Sequence, residues 1–390
     1  MIYYGQHLVD EDDIKAVVDV LKNHPLTQGP KVEEFEKHIA NYVGAKYCVA
    51  VANWTSGIHI ACLAAGLDAS NVLVTTPMTF CASSNGALFC RSTPVFADID
   101  PVTLNIDPKK IEKALQENKN VKAIMPVHFG GLPADMEAIH SLAKKYNVMV
   151  IEDAAHALGA KYADGSMVGN CKYADMVGFS FHPVKNIACG EGGAITTNSE
   201  ALYRKLLRLR SHGINKMNDP LVSAEAFTDG KPNQWYNEMQ DLGYNFRITD
   251  IQCALGLSQM KKLDFFMKRR LEITKIYDEA FKNLVNAKPA QGGMHDYSGN
   301  HLYLLRVDFD KLKKTRYQLI SELRANNVQG HVHYLPVPMH PYYQKHVPTP
   351  AENYTEALKY YRQALTIPLY PAMTDTDVKT VIQQVYNLIG

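Results

Sequence analysis

The stretch AIMPVHFGGLPADMEAIHSLAKKYNVMVIEDAAH, residues 123–156, decides the fold class of this chain. It opens on a short apolar run, continues with a segment that places Met136, Ile139 and Leu142 on one helix face, and closes around a second apolar run at 148–151. Apolar side chains three or four positions apart are typical of an amphipathic helix, and apolar runs of four or five residues have the length of a buried strand. Two strands joined through a helix pair in parallel, so the stretch predicts a strand–helix–strand unit.

The same alternation extends over the first two thirds of the chain. An opening helix, with Ile14, Val17, Val18 and Leu21 on one face, precedes further apolar runs of strand length. Because helices between parallel strands cover both faces of the sheet, we predict the α/β class, with a large domain built on a mostly parallel sheet. The additional predicted strands are residues 48–52, 72–75, 94–97, 176–181 and 194–197.

The alternation stops at residues 214–238, which show no sustained period and include Pro and Gly. An irregular segment of this length is typical of a functional or mobile loop. Since 390 residues exceed one ordinary domain, we predict a large domain at 1–250 and a smaller C-terminal α/β domain at 251–390. The pattern in the smaller domain predicts a helical stretch from 251 to 284, strands at 301–307 and 328–334, and helices at 318–325 and 375–388.

The composition argues against several classes of function. Hydrophobic residues make up 46% and charged residues 21%, and the formal net charge of +1 removes the electrostatic argument for binding nucleic acid or a membrane surface. The sequence has no apolar run long enough to span a bilayer, and its first residues lack the basic and apolar regions of a signal peptide. Seven scattered cysteines form no C-x-x-C pair. We therefore expect a cytoplasmic protein without disulfides or a metal site.

Chemically distinctive side chains follow the predicted strands at the points where those strands end. Ligands of open parallel sheets bind outside the carboxyl ends of the strands, so these side chains are candidates for one shared site. Each alone has an ordinary explanation, because lysines are usually solvated, an aspartate before a helix is often an N-cap, and most histidines are structural. Together they combine an amine, a carboxylate, an aromatic ring and a helix start suited to a phosphate. The candidates are Thr55, Ser56, Phe80, Asp153, His156, Ser180, His182 and Lys185.

Five motifs resemble the DegT/DnrJ/StrS family of sugar aminotransferases. They are DAAHA at 153–157, FSFHPVKNIACGEGGAITTN at 179–198, LTQG at 26–29, TPMTF at 76–80 and LGYNFRITDIQCALGLSQ at 242–259. The resemblance runs nearly end to end. It implies the type I, aspartate-aminotransferase-like fold and an enzyme that transfers amino groups with pyridoxal 5′-phosphate.

The resemblance also implies roles for individual residues. Lys185 would be the Schiff-base lysine that also carries protons, and Asp153 would pair with the pyridine nitrogen of the cofactor. His156, where many members have Gln, would face the phenolic oxygen, and Phe80 would stack on the ring. Each site would need a homodimer, because one phosphate contact comes from the neighbouring subunit. The implied phosphate contacts are Thr55, Ser56, Ser180 and the partner subunit's Asn245.

Within the family, FSFHPVK and HVHYLPV resemble the transaminases of pseudaminic acid biosynthesis. Such an enzyme moves an amino group from L-glutamate to the 4-keto carbon of a UDP-linked 2-acetamido-2,6-dideoxy-hexulose, which is a 4-keto-6-deoxy sugar. The product is UDP-4-amino-4,6-dideoxy-N-acetyl-β-L-altrosamine, and the cofactor alternates between its pyridoxal and pyridoxamine phosphate forms. Segment 214–238 would lie near the shared site, and the implied substrate contacts are Thr27, His182, His333 and Tyr334.

Several alternatives stay open. The acceptor could be a different UDP- or dTDP-linked keto sugar, because pocket shape decides that choice. A sugar dehydratase of the same fold carries histidine in place of the Schiff-base lysine, so Lys185 argues against it. A non-catalytic regulator that binds pyridoxal phosphate is disfavoured by the near-neutral charge. A binding protein without cofactor is the remaining alternative. The sequence departs from the family pattern at Trp54, Gly57 and His156.

Overall fold

Seven strands form the central sheet, which confirms the predicted α/β class. The computed structural model describes residues 1–215, 219–292, 294–347 and 349–390. The strands of the central sheet are β1 (Tyr47–Val51), β2 (Val72–Thr75), β3 (Thr93–Phe96), β4 (Val121–Met125), β5 (Met149–Asp153), β6 (Met176–Ser180) and β7 (Gly193–Thr197).

Across the sheet the strands follow the order β1-β7-β6-β5-β4-β2-β3. β7 runs antiparallel to both of its neighbours, and the other neighbouring strands of this sheet are parallel. β4 and β5 pair in parallel with Ala123 opposite Met149, so the strand–helix–strand unit predicted from residues 123–156 is confirmed. All seven strands predicted by the apolar runs occur, within two residues of their predicted ends.

Helices cover both faces of this sheet because its side chains alternate between two apolar clusters. In β1, Ala50 belongs to the same cluster as Phe35 and Ile139, whereas Val49 belongs to the cluster of Ile58 on the opposite face. The first eight helices are α1 (Glu11–Asn23), α2 (Pro30–Val43), α3 (Trp54–Ala64), α4 (Ala82–Phe89), α5 (Pro108–Glu117), α6 (Met136–Tyr146), α7 (Glu200–Arg210) and α8 (Asp250–Met260).

The opening helix α1 does not bury its apolar face within the chain. Ile14, Val18 and Leu21 are exposed, whereas Asp13 and Val20 are buried. Asp13 accepts a hydrogen bond from the Gln259 side chain at 2.8 Å, because α1 packs its opposite face on α8. The sequence therefore located the helix correctly, but its apolar stripe is open to solvent in the single chain.

The long helical stretch predicted from residue 251 is two helices, α8 and α9 (Leu263–Phe281). A two-residue turn, Lys261 and Lys262, separates the two helices. The Lys262 ammonium pairs with Asp13 at 2.9 Å, so the turn between the helices faces α1. The predicted helical stretch is therefore confirmed over most of its length, with a turn between its two helices.

A second, antiparallel sheet of three strands follows α9. Its strands, in the order in which they pair, are β12 (Ala287–Pro289), β13 (Tyr303–Val307) and β14 (Ala364–Ile367). An apolar cluster, which includes Leu305, Leu319 and Val385, lies between this sheet and its helices. The helices that contribute to this cluster after α9 are α10 (Phe309–Leu312), α11 (Arg316–Ala325) and α14 (Asp375–Ile389). Helices α12 (Pro341–His346) and α13 (Thr355–Gln363) contribute Tyr343 and Ala357 to a separate apolar cluster.

Residues 328–334 do not form the predicted strand. Val328 bridges to Ile2, and His331 exchanges one pair of backbone hydrogen bonds with Thr366 of β14. Two residues further on, His333 contacts β14 through its side chain, whose Nδ1 lies 2.9 Å from the Thr366 hydroxyl. The segment thus leaves the sheet edge, and the sequence missed β14, which takes the position beside β13.

The irregular segment that begins at residue 214 holds two short antiparallel pairs. β8 (Ile214–Asn215) pairs with β11 (Glu238–Met239), and β9 (Phe227–Thr228) pairs with β10 (Lys231–Pro232). The prediction of irregular structure at 216–218 lies outside the described residues. Single 3₁₀ turns occur at Phe129–Gly131, Ala224–Ala226, Val337–Met339 and Ala351–Asn353. None of the helices in the described ranges has the length and apolar character needed to cross a bilayer.

Candidate active site

A cavity of about 690 Å³ opens at the carboxyl ends of the central strands. Asp153 ends β5 and Ser180 ends β6, and Thr55 follows β1 at the same edge. The structure brings nine of the predicted site residues together around this cavity. They are Thr55, Phe80, Asp153, His156, Ser180, His182, Lys185, His333 and Tyr334.

Three other predicted residues do not line the cavity of their own chain. The Ser56 hydroxyl donates to the Asn53 backbone oxygen at 2.7 Å and so caps helix α3. Thr27 and Asn245 are both exposed, each forming an isolated backbone bridge elsewhere. Their assignments to phosphate and substrate therefore stay predictions that depend on a neighbouring subunit or a bound ligand.

Lys185 lies in the turn after β6, where its backbone N–H donates to the His182 carbonyl at 2.8 Å. Among the described residues, no hydrogen bond or ion pair engages its Nζ. Burial lowers the pKa of Lys185 to about 8, against the opposing charge of Asp153 and with a smaller contribution from Arg270. At pH 7 this leaves about a tenth of the amine unprotonated, which is the form that attacks a carbonyl or accepts a proton.

The Asp153 carboxylate is almost fully buried, and both of its oxygens accept hydrogen bonds. Oδ1 accepts from the Trp54 indole N–H at 2.8 Å and from the Ala155 backbone N–H at 3.1 Å. Oδ2 accepts from the Ser83 hydroxyl at 2.6 Å. The surrounding groups therefore donate toward the carboxylate and hold it in one orientation at the cavity wall.

His156 faces Asp153 and Lys185 across the cavity with one ring nitrogen free of partners. Its Nε2 lies 3.3 Å from the Tyr334 hydroxyl, whereas its buried Nδ1 has no hydrogen-bond partner among the described residues. Burial, followed by the charges of Lys185 and other groups, holds the pKa of His156 well below its ordinary value. The imidazole is therefore neutral, and it is one of the polar groups that line the cavity.

The start of helix α3 forms the anion-binding side of the cavity. Asn53 caps the helix, and its side chain accepts from the Ser56 backbone N–H at 2.9 Å. The first backbone N–H groups of a helix have no intrahelical partners and carry partial positive charge, so Trp54 and Thr55 present donors to a phosphate here. The hydroxyls of Thr55 and Ser180 lie at the same cavity.

Phe80 supplies an aromatic surface at the cavity mouth. Its side chain is 59% exposed, which is unusual for a phenylalanine, and its ring centre lies 6.3 Å from that of Tyr334. An exposed ring that lines a cavity offers a stacking face to a planar ligand.

Several residues of the cavity were missed at the level of sequence. Trp54 and Ser83 bond the Asp153 carboxylate, while Tyr4 and His331 line the opposite wall. Trp54 could have been found, since it stands directly before Thr55 at a helix start. The sequence carries no comparable signal for Tyr4 or His331, because only the packing of the N-terminal segment on residues 327–333 brings them to the site.

Comparison with known proteins gives the same picture as the cavity. A family model described as the DegT/DnrJ/EryC1/StrS aminotransferase family matches residues 7–386. The spore coat polysaccharide biosynthesis protein SpsC of Bacillus subtilis is 40% identical over 390 residues, which cover 99% of this chain and 96% of that protein. The UDP-4-amino-4,6-dideoxy-N-acetyl-β-L-altrosamine transaminase of Campylobacter jejuni is 37% identical over 392 residues, which cover 100% of this chain and 98% of that protein.

Solved structures extend the comparison to three dimensions. Helicobacter pylori PseC, an aminotransferase involved in the biosynthesis of pseudoaminic acid, superposes with a TM-score of 0.89. It is 30% identical in sequence, and the match covers 99% of this chain and 98% of that chain. Spr1654 of Streptococcus pneumoniae, described as a putative sugar aminotransferase, has been solved in a pyridoxamine phosphate form and in a pyridoxal phosphate form. The pyridoxamine phosphate form is 26% identical, superposes with a TM-score of 0.87, and the match covers 99% of this chain and 98% of that chain.

Proposed function

This chain belongs to the DegT/DnrJ/EryC1/StrS aminotransferase family and is a pyridoxal-phosphate-dependent sugar aminotransferase, and from that premise we propose its substrates. It transfers the amino group of L-glutamate to the 4-keto carbon of a UDP-linked 2-acetamido-2,6-dideoxy-hexulose. The product is UDP-4-amino-4,6-dideoxy-N-acetyl-β-L-altrosamine, a precursor of pseudaminic acid.

One observation carries the proposal for the site. A lysine with an unpaired amine and a lowered pKa, Lys185, lines the same cavity as a buried carboxylate, Asp153. Amino transfer needs both groups, because one must exchange with amines and carry protons while the other must keep a pyridine nitrogen protonated.

The residues present fit pyridoxal 5′-phosphate. We assign its phosphate to the start of α3 with Thr55 and Ser180, and its ring to the exposed face of Phe80. His156 is assigned to a ring oxygen and Asp153 to the ring nitrogen, because both line the same cavity. When bound, the cofactor supplies an electron-accepting ring that stores an amino group between two half-reactions.

Lys185 is the residue of this chain that we assign to proton transfer. Lys185 holds or releases a proton at Nζ, and its lowered pKa lets it do both near neutral pH. His156 stays neutral while the lysine changes its charge, because burial holds the pKa of His156 well below its ordinary value. Because one lysine serves both half-reactions, we expect ping-pong kinetics.

The names of two relatives support the choice of sugar, namely the Campylobacter jejuni transaminase and Helicobacter pylori PseC. A different nucleotide keto sugar, carried on UDP or dTDP, is the second candidate. It is favoured by the similarity to SpsC, which at 40% identity exceeds the 37% of the Campylobacter jejuni transaminase and whose name refers to a spore coat polysaccharide.

Absorption spectroscopy of the purified enzyme tests the proposal. We expect L-glutamate to convert the lysine-bound cofactor spectrum to that of the pyridoxamine form. The UDP-linked 4-keto sugar should restore the first spectrum, whereas a dTDP-linked keto sugar should not. Lys185→Ala should show neither conversion. Restoration by the dTDP sugar alone would replace the proposed acceptor, and unchanged spectra of wild type and Lys185→Ala would reject the role of the lysine.

We also propose that the enzyme is a homodimer whose sites are shared through Asn245. The residue is exposed and lies outside the cavity of its own chain. Lys185→Ala and Asn245→Ala proteins should each have little activity alone. After they are unfolded and refolded together in equal amounts, we expect about a quarter of the wild-type activity. Half of the resulting dimers are mixed, and each mixed dimer holds one intact site out of two. No regain in a mixture that contains mixed dimers would contradict sharing through Asn245.

A further inference from the structure

The Trp54 indole lies flat between the start of α3 and strand β6, and glycines provide the space for it. A Cβ on Gly178 would lie 1.7 Å from Trp54 Cη2, and one on Gly57 would lie 2.6 Å from Trp54 Cε3. Gly178 is also the residue of β6 that pairs with Asp153 of β5. Because this neighbour has no side chain, the indole reaches across it to the Asp153 carboxylate.

The hydrogen bonds of Asp153 leave one acceptor position. A carboxylate offers about four such positions, two on each oxygen. Oδ1 uses both, for the Trp54 indole and the Ala155 backbone, and Oδ2 uses one for Ser83. The Ser83 hydroxyl lies 2.8 Å from that of Thr79; since Ser83 donates its proton to Asp153, Thr79 must donate to Ser83.

We propose that Trp54 is a positioning residue for the amino-transfer reaction, whose indole N–H orients Asp153 so that the last acceptor position, on Oδ2, faces the cofactor ring nitrogen. The inference rests on the proposed role of Asp153. Trp54 occupies Oδ1 together with Ala155, so the carboxylate cannot rotate its free position away from the cavity. Ser83 and Thr79 complete the arrangement from the side of α4.

The test replaces the indole N–H by sulfur while keeping the bicyclic shape, with 3-benzothienyl-alanine inserted at position 54 by codon suppression. Tryptophan inserted at the same codon is the matched control. Nitrogen-15 NMR of enzyme loaded with ¹⁵N-ring-labelled pyridoxal phosphate reports the pH at which the ring nitrogen loses its proton. A hydrogen bond to an ionised group changes an equilibrium roughly ten- to hundredfold, so we expect that pH to fall by about 1 to 2.

Kinetics and stability add independent readouts. We expect kcat to fall roughly tenfold while KM for L-glutamate changes less than about threefold, since the lost bond acts on the ring and not on substrate binding. The cofactor-free protein should still fold, with a melting temperature no more than about 4 °C below that of the control, because one buried hydrogen bond is lost. Ser83→Ala, which removes the donor to Oδ2 and leaves the indole in place, should shift the ring-nitrogen titration in the same direction.

Asp153→Asn separates failure of this inference from failure of the site. If the benzothienyl variant titrates like the control while Asp153→Asn shifts the ring nitrogen, Trp54 is only a packing residue and the inference is overturned. If Asp153→Asn also leaves the titration unchanged, the assignment of Asp153 is wrong and the role of Trp54 falls with it.

Discussion

Replacing Lys185 by methionine should make the cofactor-free protein more stable while abolishing amino transfer. Burial lowers the pKa of Lys185 from 10.5 to about 8, so the folded chain holds the protonated amine less favourably than the unfolded chain does. Methionine has a similar length and no charge, and it therefore fills the same space without that penalty.

The magnitude follows from the two pKa values. Each pH unit between them corresponds to about 1.4 kcal/mol, which gives about 3.5 kcal/mol at most. Because Lys185 is only partly buried, solvent screening reduces the expected gain to about 1–3 kcal/mol. For a chain of 390 residues this corresponds to a rise in melting temperature of about 1–4 °C.

The stability difference between wild type and Lys185→Met should depend on pH. Below pH 8 the amine is protonated in both states, and wild type carries the full penalty. Between pH 8 and 10.5 the folded chain loses its proton first, so the stability of wild type rises with pH toward that of the variant. Above pH 10.5 the amine is neutral in both states, and the two proteins should melt together.

The assay is thermal unfolding of both cofactor-free proteins at equal concentration, at pH 7 and at pH 10.5. Lys119→Met, at an exposed lysine, is the control and should leave the melting temperature unchanged at both pH values. A variant that melts below wild type at pH 7, or an advantage of equal size at both pH values, would refute the reasoning.

Three further predictions concern the surroundings of the site. Gly178→Ala forces the Trp54 indole to move, so the free energy of unfolding should fall by about 1–3 kcal/mol and the affinity for the cofactor should fall as well. A variant that binds the cofactor like wild type would contradict the close contact between Gly178 and the indole. Glu152→Ala removes the buried carboxylate that lies 2.7 Å from both His128 and Tyr162. Denaturant titration should show that the free energy of unfolding falls by about 3–5 kcal/mol, and a fall below about 1 kcal/mol would contradict a buried hydrogen-bond network. Protein without cofactor should have a free energy of unfolding about 2.7 kcal/mol lower than protein with free cofactor at a hundred times the dissociation constant of the cofactor. Melting curves that coincide would show that the cofactor does not bind the folded state preferentially.

The alternation of apolar runs and amphipathic segments was enough to determine the fold class. Seven strands and the unit around residues 123–156 could be predicted because burial on both faces demands continuous apolar strands. The carboxyl-end rule also placed seven of its eight candidate residues at one cavity, since it depends only on strand direction. The strand predicted at residues 328–334 was wrong because a strand-like pattern does not show whether the edge of a sheet is free. Here β14 occupies the position beside β13.

What the sequence by itself determined about this protein is local: the strands, most helices, the family motifs and the candidates that follow strand ends. Only the tertiary structure decided which groups surround each candidate. The amine of Lys185 is unpaired and partly buried, and the carboxylate of Asp153 is held by Trp54 and Ser83 from two different helices. Burial and hydrogen bonding set the charge and orientation of a side chain, and both come from residues distant along the chain, so no local pattern carries them.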